Sequence, residues 1–594
     1  MSLPIQDYAM IGNLHTAALV SRGGSIDWLC MPRFDSPACF AALLGTSEHG
    51  RWIIAPEAGV KQVRRHYCGQ SLVLETTFET DAGEVALIDF MTFTELDGQA
   101  EVVRLIEGRK GSVPMSMELT LRFDYGAIVP HMEQTVDGWK AITEPQAVSL
   151  HTTIKTSAEN SRLVAQFTVS EGETISFILR SDNPERASLQ VCDASVLEQI
   201  SEAPWTQWIS RCSYQGKYRE QVVRSLITLK ALTYGSTGSI VAAPTTSLPE
   251  QLNGGLNWDY RYCWLRDGSF SLSALLMSGY AEEAAAWRKW LVGVVAGQAC
   301  GIQTVYGIAG ERRLDERELA HLPGYGDTPP VRIGNRAYKQ FQLDIYGEIL
   351  NALYIAHHYK MTITEDEWQM VCSFLSFLES MWRKPDDGIW ESRNGRQHFT
   401  ESKVSAWVAF DRAIKLAEQY DFKAPVAEWR AVRDNIHADV CEHGFDSRRN
   451  TFVQYYGASG VDASLLRLPL VGFLPSNDPR IVGTVKVIQN DLTEGGLLKR
   501  EREAIASGEG AFLPCNFWLV DCLTAMGCQN EARMLFENLL RLCNDVGLLS
   551  EEYDPGNTRM LGNFPQALTH LALVISAFNL LPEQTPMRMM GGDL

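Results

Sequence analysis

Six segments in the C-terminal two thirds of the chain concentrate side chains that could carry out chemistry. They are rich in Trp, Tyr, Asp, Glu, Arg and Asn, without the Cys/His spacing of a zinc site or a glycine-rich phosphate loop. Aromatic rings can stack on the apolar faces of sugars, and paired carboxylates suit glycosidic cleavage, which needs an acid and an activated water. The segments are 257–268 (NWDYRYCWLRDG), 310–344, 386–399 (DDGIWESRNGRQHF), 453–462, 507–518 (SGEGAFLPCNFW) and 548–566 (LLSEEYDPGNTRMLGNFPQ).

From residue 217 onward, apolar residues recur with the spacing of a helix, so helices are expected to position these segments. Tyr218, Val222, Leu226 and Leu229 recur on one helical face. Twelve helices without intervening strands predict six α-hairpins closed into a toroid, in which every odd-to-even connection lies at one end. Those connections are the six segments above, so one functional face is expected. The predicted helices are 217–234, 268–279, 281–295, 340–359, 364–383, 401–419, 422–441, 460–467, 477–490, 511–526, 528–542 and 565–580.

Residues 1–195 have a different pattern, with many short runs rich in Val, Ile, Thr and Phe. Turn residues separate the runs, as at Arg22-Gly23-Gly24 and Asp81-Ala82-Gly83. EVVRLIEG and MSMELTLRFD are predicted as two successive strands. The fold expected is a multidomain α+β chain: an antiparallel β-sandwich (1–195), a helical linker (196–216) interrupted by Pro204, and an α/α toroid (217–594).

The amino-acid composition disfavours some classes of binding partner and of cellular location. With 53 Lys+Arg against 72 Asp+Glu, the net charge is −19, which disfavours nucleic acid and anionic membranes. No apolar run reaches the roughly 18 residues of a membrane span, and the N-terminus does not resemble a signal peptide. The 13 cysteines are scattered singly, which favours a reduced, cytoplasmic protein. No cofactor or metal is expected.

Several long stretches, in order, resemble the glucoamylase–trehalase family of glycoside hydrolases (family 15), in its bacterial form. Residues 11–37 resemble the opening of that family's β domain. Its barrel loops are matched by 243–250 (APTTSLPE), 257–268, 388–393 (GIWESR), 509–518 (EGAFLPCNFW), 550–555 (SEEYDP) and 561–567 (LGNFPQA). The resemblance covers nearly the whole chain and implies a β-sandwich followed by an α/α toroid. It also implies cleavage of α-glucosides from the non-reducing end with inversion.

The resemblance assigns roles by motif. Glu391, after Trp390 in the fifth connection, matches the family's general acid, and Glu551 in Ser-Glu-x-Tyr-Asp matches its general base. Arg266 and Asp267 match the pair that holds the terminal glucose. Glu552 departs from a neutral Gln found in some glucoamylases, so a second carboxylate lies beside the base. No counterpart of the fungal starch-binding module is present.

Further candidates for substrate binding have structural alternatives. Trp264 and Trp390, like Trp258 and Trp518, could be stacking platforms or core side chains. Glu509 could contact sugar or cap a helix, and Asp344 could contact sugar or pair with the dipole of the helix it opens. Tyr553 completes the set of predicted binding residues.

The function predicted is an inverting, exo-acting α-glucoside hydrolase without cofactors, with trehalose favoured as substrate. Maltooligosaccharides and isomaltose remain alternatives within the class. A disaccharide phosphorylase and a catalytically silent sugar-binding protein are the rivals of other classes; a phosphorylase needs no base, so the Glu551 motif disfavours it.

Three structural expectations follow. The Glu391 and Glu551 carboxyls should face each other roughly 6.5–9.5 Å apart, which leaves room for a water. Partial desolvation should raise the pKa of Glu391, whereas the N-terminus of the last helix should keep Glu551 ionised. The β domain should pack on the toroid, with the hairpin at 12–24 reaching the mouth of the pocket.

Overall fold

The computed structural model describes residues 3–93, 99–144, 146–182, 194–297 and 300–581. Its N-terminal part is an antiparallel β domain in two layers. The strands are β1 (Tyr8–Gly12), β2 (Ala17–Ser21), β3 (Ser25–Cys30), β4 (Ala38–Phe40), β5 (Arg51–Pro56), β6 (Val60–Tyr67), β7 (Leu74–Thr80), β8 (Gly83–Met91), β9 (Glu101–Thr120), β10 (His131–Thr135), β11 (Gly138–Thr143), β12 (Gln146–Thr152), β13 (Ser157–Glu159), β14 (Arg162–Ser170) and β15 (Thr174–Asp182).

Strand β9 joins the two layers, because its first half pairs with β8 and β15 and its second half pairs with β5 and β14. The sequence predicted two strands here, and the structure has one strand of 20 residues. The turn-based hairpins β2–β3 and β7–β8 are confirmed. Gly24 in the first turn has φ 78°, and a Cβ there would lie 2.3 Å from the Ile54 carbonyl, so this turn requires glycine.

The C-terminal part is helical. Its helices, with the connecting helix α1, are α1 (Ala194–Ile209), α2 (Arg219–Ala231), α3 (Leu265–Met277), α4 (Ala281–Val295), α5 (Asp344–His358), α6 (Glu365–Met381), α7 (Thr400–Tyr420), α8 (Val426–His443), α9 (Arg467–Leu470), α10 (Pro479–Leu492), α11 (Arg502–Ser507), α12 (Leu513–Ala525), α13 (Gln529–Leu540) and α14 (Ala567–Asn579).

These helices confirm the predicted set of twelve, with three differences. Helix α1 continues through Pro204, which is half-buried. The prediction that Pro204 interrupts this helix is wrong. The predicted helix 460–467 is a short 3₁₀ turn, Ala463–Leu466, followed by the four-residue α9, which contains Pro469. Helix α11 is an additional short turn within the loop that precedes α12.

The toroid closes through an inner ring of α3, α5, α7, α9, α12 and α14, in which each helix packs on the next and α14 returns to α3. The inner helices α5, α7, α12 and α14 are buried along most of their length, because they are covered on every side. The N-termini of the inner ring lie on the face formed by the six long loops. That face therefore combines helix-dipole ends with the loops that carry the unusual side chains.

Short strands order these loops: β16 (Cys263–Trp264), β17 (Val305–Tyr306), β18 (Arg317–Glu318), β19 (Arg332–Ile333), β20 (Phe445–Asp446), β21 (Thr451–Phe452), β22 (Thr493–Glu494), β23 (Leu497–Leu498), β24 (Ala511–Phe512), β25 (Glu552–Asp554) and β26 (Arg559–Leu561). Strands β24, β25 and β26 form one small sheet, which brings the segment before α12 beside the segment before α14.

The β domain packs directly on the toroid, as expected. Trp28 Nε1 donates to the Pro244 carbonyl at 2.8 Å, and Arg65 pairs with Asp545 at 2.7 Å. The hairpin at 12–24 contacts the toroid through the Leu14 carbonyl, which accepts from the Gly235 amide at 2.7 Å. It contributes no described residue to the wall of the large cavity described below, and its reach to the mouth of that pocket stays a prediction.

Among the helices that the structure describes, none is both long and apolar enough to cross a membrane.

Candidate active site

A cavity of about 440 Å³ opens on the face where the inner helices begin. Its volume lies within the usual range of small-molecule sites. Side chains from all six predicted segments reach its wall, together with residues that flank them. They include Trp258, Tyr260, Trp264, Arg266, Asp267, Asn335, Trp390, Glu391, Arg393, Gln454, Arg500, Phe512, Trp518 and Gln566. The segments that are dispersed in sequence thus converge on one mixed aromatic and charged pocket.

Glu391 lies in the loop between α6 and α7 and lines the cavity. Its backbone is held at φ 57°, in the left-handed region that non-glycine residues rarely adopt, by a turn in which its amide donates to the Gly388 carbonyl at 3.0 Å. Trp264 Nε1 donates to Glu391 Oε1 at 2.6 Å. A strained backbone that is fixed by surrounding contacts is typical of a functional side chain, because the strain must be offset elsewhere.

Arg266 and Asp267 lie in the first turn of α3, next to Glu391. Arg266 Nη2 is 3.6 Å from Glu391 Oε1, and its Nη1 donates to the Ile389 carbonyl at 3.0 Å. Asp267 Oδ1 is 3.4 Å from Arg266 Nε and accepts no hydrogen bond among the described residues. The Asp267 side chain as a whole is 10% exposed and lines the cavity, so its carboxylate can accept a hydrogen bond from a ligand hydroxyl there.

Asp344 is the first residue of α5, is fully buried and does not line the cavity. Its Oδ2 is 3.8 Å from Arg266 Nη1. The structure therefore places Asp344 behind Arg266, where its charge holds the guanidinium in place. This position differs from the sugar contact that was one of its two expected roles.

Burial raises the pKa of the Glu391 carboxyl, as the sequence predicted. The Arg266 charge and the Trp264 hydrogen bond oppose that rise, while the nearby Asp267 and Asp344 charges add to it. Desolvation is the largest of these effects, so the pKa of Glu391 lies above its ordinary value. A general acid needs this property.

Glu551 lies just before β25, is fully buried and does not itself line the cavity; it lies behind Tyr260, which does. The Tyr260 hydroxyl donates to Glu551 Oε1 at 2.6 Å, and the Asn563 amide donates to Oε2 at 3.1 Å. Gly562 makes room for this carboxylate, because a Cβ there would lie 2.5 Å from Glu551 Oε2. Two donors and a glycine thus fix the carboxylate in one orientation.

Burial also raises the pKa of Glu551, to about 7, although Tyr260, Asn563 and Arg500 lower it. The expectation that the N-terminus of the last helix favours the ionised form stays a prediction, and burial acts against it. Complete burial is the largest effect, and the ionised form depends on the donated hydrogen bonds.

Tyr260 and Trp264 connect the two carboxylates across the site. Their rings meet edge to face with centroids 5.3 Å apart. Each ring donates one hydrogen bond, Tyr260 to Glu551 and Trp264 to Glu391. Two glutamates separated by 160 positions in sequence are thereby brought to one site.

Aromatic side chains form the rest of the wall. Trp390 stacks on Trp518 with centroids 6.1 Å apart and donates to Asp462 at 2.6 Å. Arg393 covers the Trp258 ring at 4.0 Å. Trp264, Trp390, Trp258 and Trp518 all line the cavity, so each predicted platform has access to a ligand.

Two other predicted binding residues lie elsewhere. Glu509 is 3% exposed, does not line the cavity, and its Oε1 pairs with Arg500 Nε at 2.6 Å. Tyr553 lines a separate cavity with Gln6 and Arg22 of the β domain. Strand β25 begins directly after Glu551 and carries the chain to the interface between the domains. The structure therefore places Tyr553 outside the predicted pocket.

Sequence reasoning missed Tyr260, Arg500 and Glu250. Tyr260 lies within the segment NWDYRYCWLRDG, but among the aromatic residues of that segment only the tryptophans were considered as ligand contacts. Arg500 lines the cavity and pairs with Glu250 at 2.8 Å. No local pattern marks these two residues, since they are 250 positions apart and meet only in the fold.

Two groups of potential metal ligands occur among the described residues: His66, Cys68 and Glu75 in the β domain, and Glu250, Glu509 and Glu552 near the cavity. In the second group Arg500 already supplies a cation to two of the three carboxylates.

Comparisons with known proteins agree with this arrangement. Residues 216–578 match the model of glycosyl hydrolases family 15, and residues 1–195 match that of the trehalase-like N-terminal domain. A trehalase of Mycobacterium tuberculosis is 38% identical, with 96% of this chain and 88% of the relative covered. A trehalase of Thermoplasma volcanium is 35% identical, with 96% and 92% covered.

Among solved structures, a bacterial glucoamylase complexed with acarbose superimposes with a TM-score of 0.74 at 14% identity, covering 98% of this chain and 94% of that one. That likeness establishes the fold, a β domain followed by an α/α toroid. The match over most of the chain, together with the identity to curated relatives, identifies the chain as a glycoside hydrolase and a member of glycosyl hydrolase family 15.

Proposed function

We propose that the protein hydrolyses trehalose, acting as an exo-acting α-glucosidase that inverts the anomeric carbon. The observation that carries the proposal is a pair of glutamates, Glu551 fully buried and Glu391 partly buried, each fixed by a hydrogen bond of 2.6 Å from one member of the Tyr260–Trp264 pair. The names of the relatives support trehalose as the substrate.

In the proposed mechanism Glu391 donates its proton to the glycosidic oxygen, and Glu551 takes a proton from the water that attacks the anomeric carbon. The C–O bond to the leaving sugar breaks as the bond to water forms. Burial raises the pKa of Glu391 toward what an acid needs, and the Tyr260 and Asn563 donors oppose the burial that raises the pKa of Glu551 to about 7. Because Glu391 must be protonated and Glu551 must be ionised, we expect kcat/KM to show a bell-shaped dependence on pH.

Arg266 and Asp267 are proposed to hold the glucose whose bond breaks. Both line the cavity, and the partly exposed Asp267 carboxylate could accept a hydrogen bond from a sugar hydroxyl. Trp264 and Trp390 supply flat apolar surfaces beside the acid. These groups would fix the anomeric carbon between the two glutamates, and positioning of this kind supplies much of an enzyme's rate.

A panel of trehalose, maltose, isomaltose and kojibiose, assayed by glucose release, tests the proposed substrate. The highest kcat/KM on trehalose is expected, whereas a preference for maltose or isomaltose would assign a glucoamylase or isomaltose-type activity. Phosphate-dependent release of glucose 1-phosphate would assign a phosphorylase instead. Glu551, bonded as a base should be, favours hydrolysis over phosphorolysis.

The proposed setting is the reducing cytoplasm, with a small α-glucoside as the only partner required. The described cysteines are all free thiols, including the buried Cys30, Cys263 and Cys515, which suits a reducing compartment. The net charge of −19 disfavours nucleic acid as a partner.

A further inference from the structure

Three buried carboxylates lie directly behind the proposed base. One oxygen each of Glu250, Glu509 and Glu552 lies within 4.8 Å of the others, and the three side chains are at most 3% exposed. One guanidinium, that of Arg500, contacts two of them, at 2.8 Å from Glu250 and 2.6 Å from Glu509. Three ionised carboxylates would therefore share one positive charge at a largely buried site.

Glu552 is the member of this cluster that Arg500 does not contact. Neither of its oxygens accepts a hydrogen bond among the described residues, and its side chain is fully buried. It lies against Gly510, where a Cβ would be 2.7 Å from Glu552 Oε2. An isolated buried carboxylate is far more costly than a neutral carboxyl, so the geometry favours a proton on this residue.

A hydrogen-bond acceptor for that proton is also present. Glu250 Oε1 is buried and has no donor among the described residues, although Oε2 of the same carboxylate pairs with Arg500. A protonated Glu552 would supply the missing O–H donor to its neighbours in the cluster. One proton added to Glu552 would thus give both Glu552 and Glu250 Oε1 a hydrogen-bond partner. It would also halve the net negative charge of the three carboxylates and Arg500.

We infer that Glu552 is held as a neutral carboxylic acid at working pH and acts as a positioning residue that keeps negative charge away from the adjacent base, Glu551. The inference rests on the proposed role of Glu551. A second anion at position 552 would disfavour ionisation of a base whose pKa burial already raises to about 7. The charged and titratable groups that face Glu552 are Glu250, Glu509, Glu551, Arg500 and Cys515.

The direction of the shift agrees with the geometry. The pKa of Glu552 is raised well above its usual value, first by burial and then by the Glu509 and Glu250 charges, with Arg500 acting in the opposite direction. Because the folded-state pKa is raised, the protonated side chain contributes its full stability below the unfolded pKa of about 4.3. That contribution is lost as the pH rises toward the folded pKa, since only the unfolded chain ionises in this window.

Glu552→Gln tests the inference, because glutamine has the shape of the neutral acid but cannot ionise. The Tm of the variant relative to the native protein should increase steadily from pH 5 to pH 8. Glu428→Gln, which removes an exposed carboxylate on α8, is the matched control and should give no such trend. A Glu552→Gln protein that is less stable than native by a constant amount at every pH would overturn the inference.

The pH dependence of kcat/KM gives an independent reading. If Glu552 is already neutral, its replacement by Gln should leave the acid limb within about 0.3 pH units of the native position. A downward shift of a pH unit or more would mean that an ionised neighbour had been removed, and would overturn the inference. The Tm comparison does not depend on turnover, so it stands even if the proposed activity fails.

Two measurements guard against misfolding and against a bound cation. Glu552→Met, also neutral and of similar length, should show the same pH trend in Tm if the glutamine variant does not fold. Metal analysis of the native enzyme after dialysis should find no stoichiometric divalent ion. An ion retained by the native protein and lost from the variant would assign the cluster to metal binding and overturn the inference.

Discussion

The hydrogen bond from Tyr260 to Glu551 offers a sharp test of the proposed base. The hydroxyl lies 2.6 Å from Glu551 Oε1, and this bond lowers the pKa of a carboxyl that burial otherwise raises. Tyr260→Phe removes the hydroxyl and keeps the ring that packs on Trp264. The ionised base loses a donor, so its pKa should rise.

The size of the shift follows from the strength of the bond. A hydrogen bond to a charged group contributes about 1.5–3 kcal/mol, and a pKa unit corresponds to about 1.36 kcal/mol, so the base pKa should rise by about 1–2 units. Starting from a pKa of about 7, the ionised fraction at pH 7 should fall from about half to about 1–10%. The expected loss in kcat/KM at pH 7 is about 5–50-fold.

The assay is the pH profile of kcat/KM on trehalose, in which the acid limb should move to higher pH while the alkaline limb stays in place. Tyr553→Phe is the matched control, because Tyr553 is two residues from Glu551 but lines another cavity. An acid limb that is unchanged in Tyr260→Phe, or that moves equally in both variants, would refute the assignment of Glu551 as the base.

Three further predictions concern the acid, its neighbour and the glycine beneath the base. Glu391→Gln should lose about 10²–10⁴-fold in kcat on trehalose yet keep most activity on a glucoside with a good leaving group, whereas Glu551→Gln should lose both; equal responses would contradict the assigned roles. Arg266→Gln should lower kcat/KM but move the alkaline limb to higher pH, because Arg266 lowers the pKa of Glu391; the opposite shift would contradict this, and a melting curve checks folding. Gly562→Ala should abolish turnover, since its Cβ would lie 2.5 Å from Glu551 Oε2, while Gly527→Ala, also at positive φ but with open space around it, should only lower the Tm.

The overall fold could be predicted because periodicity and loop position are local properties. Twelve helical periods and one face of unusual loops were enough for the toroid, and the burial of α14 followed from its apolar composition. Helix α9 was misplaced because Pro469 and the preceding 3₁₀ turn shorten it to four residues. The break expected at Pro204 did not occur, since α1 continues on both sides of that residue.

The site was predicted in part, and what was missed depends on distant contacts. Motifs identified Glu391, Glu551 and Arg266, whereas the left-handed backbone at Glu391 and the Tyr260 hydrogen bond arise only from packing. Tyr553 was predicted to bind substrate and is two residues from Glu551, yet an extended strand moves each residue about 3.3 Å along its axis. Two residues along a strand are enough to leave a small site.

The stereochemistry of the first turnovers tests the central claim most directly. In α,α-trehalose, inversion at the attacked carbon releases β-glucose from one half and leaves α-glucose as the other half. Proton NMR recorded before mutarotation should therefore show the two anomers in equal amounts. Release of α-glucose alone would mean retention, and would contradict a mechanism in which Glu551 activates water opposite Glu391.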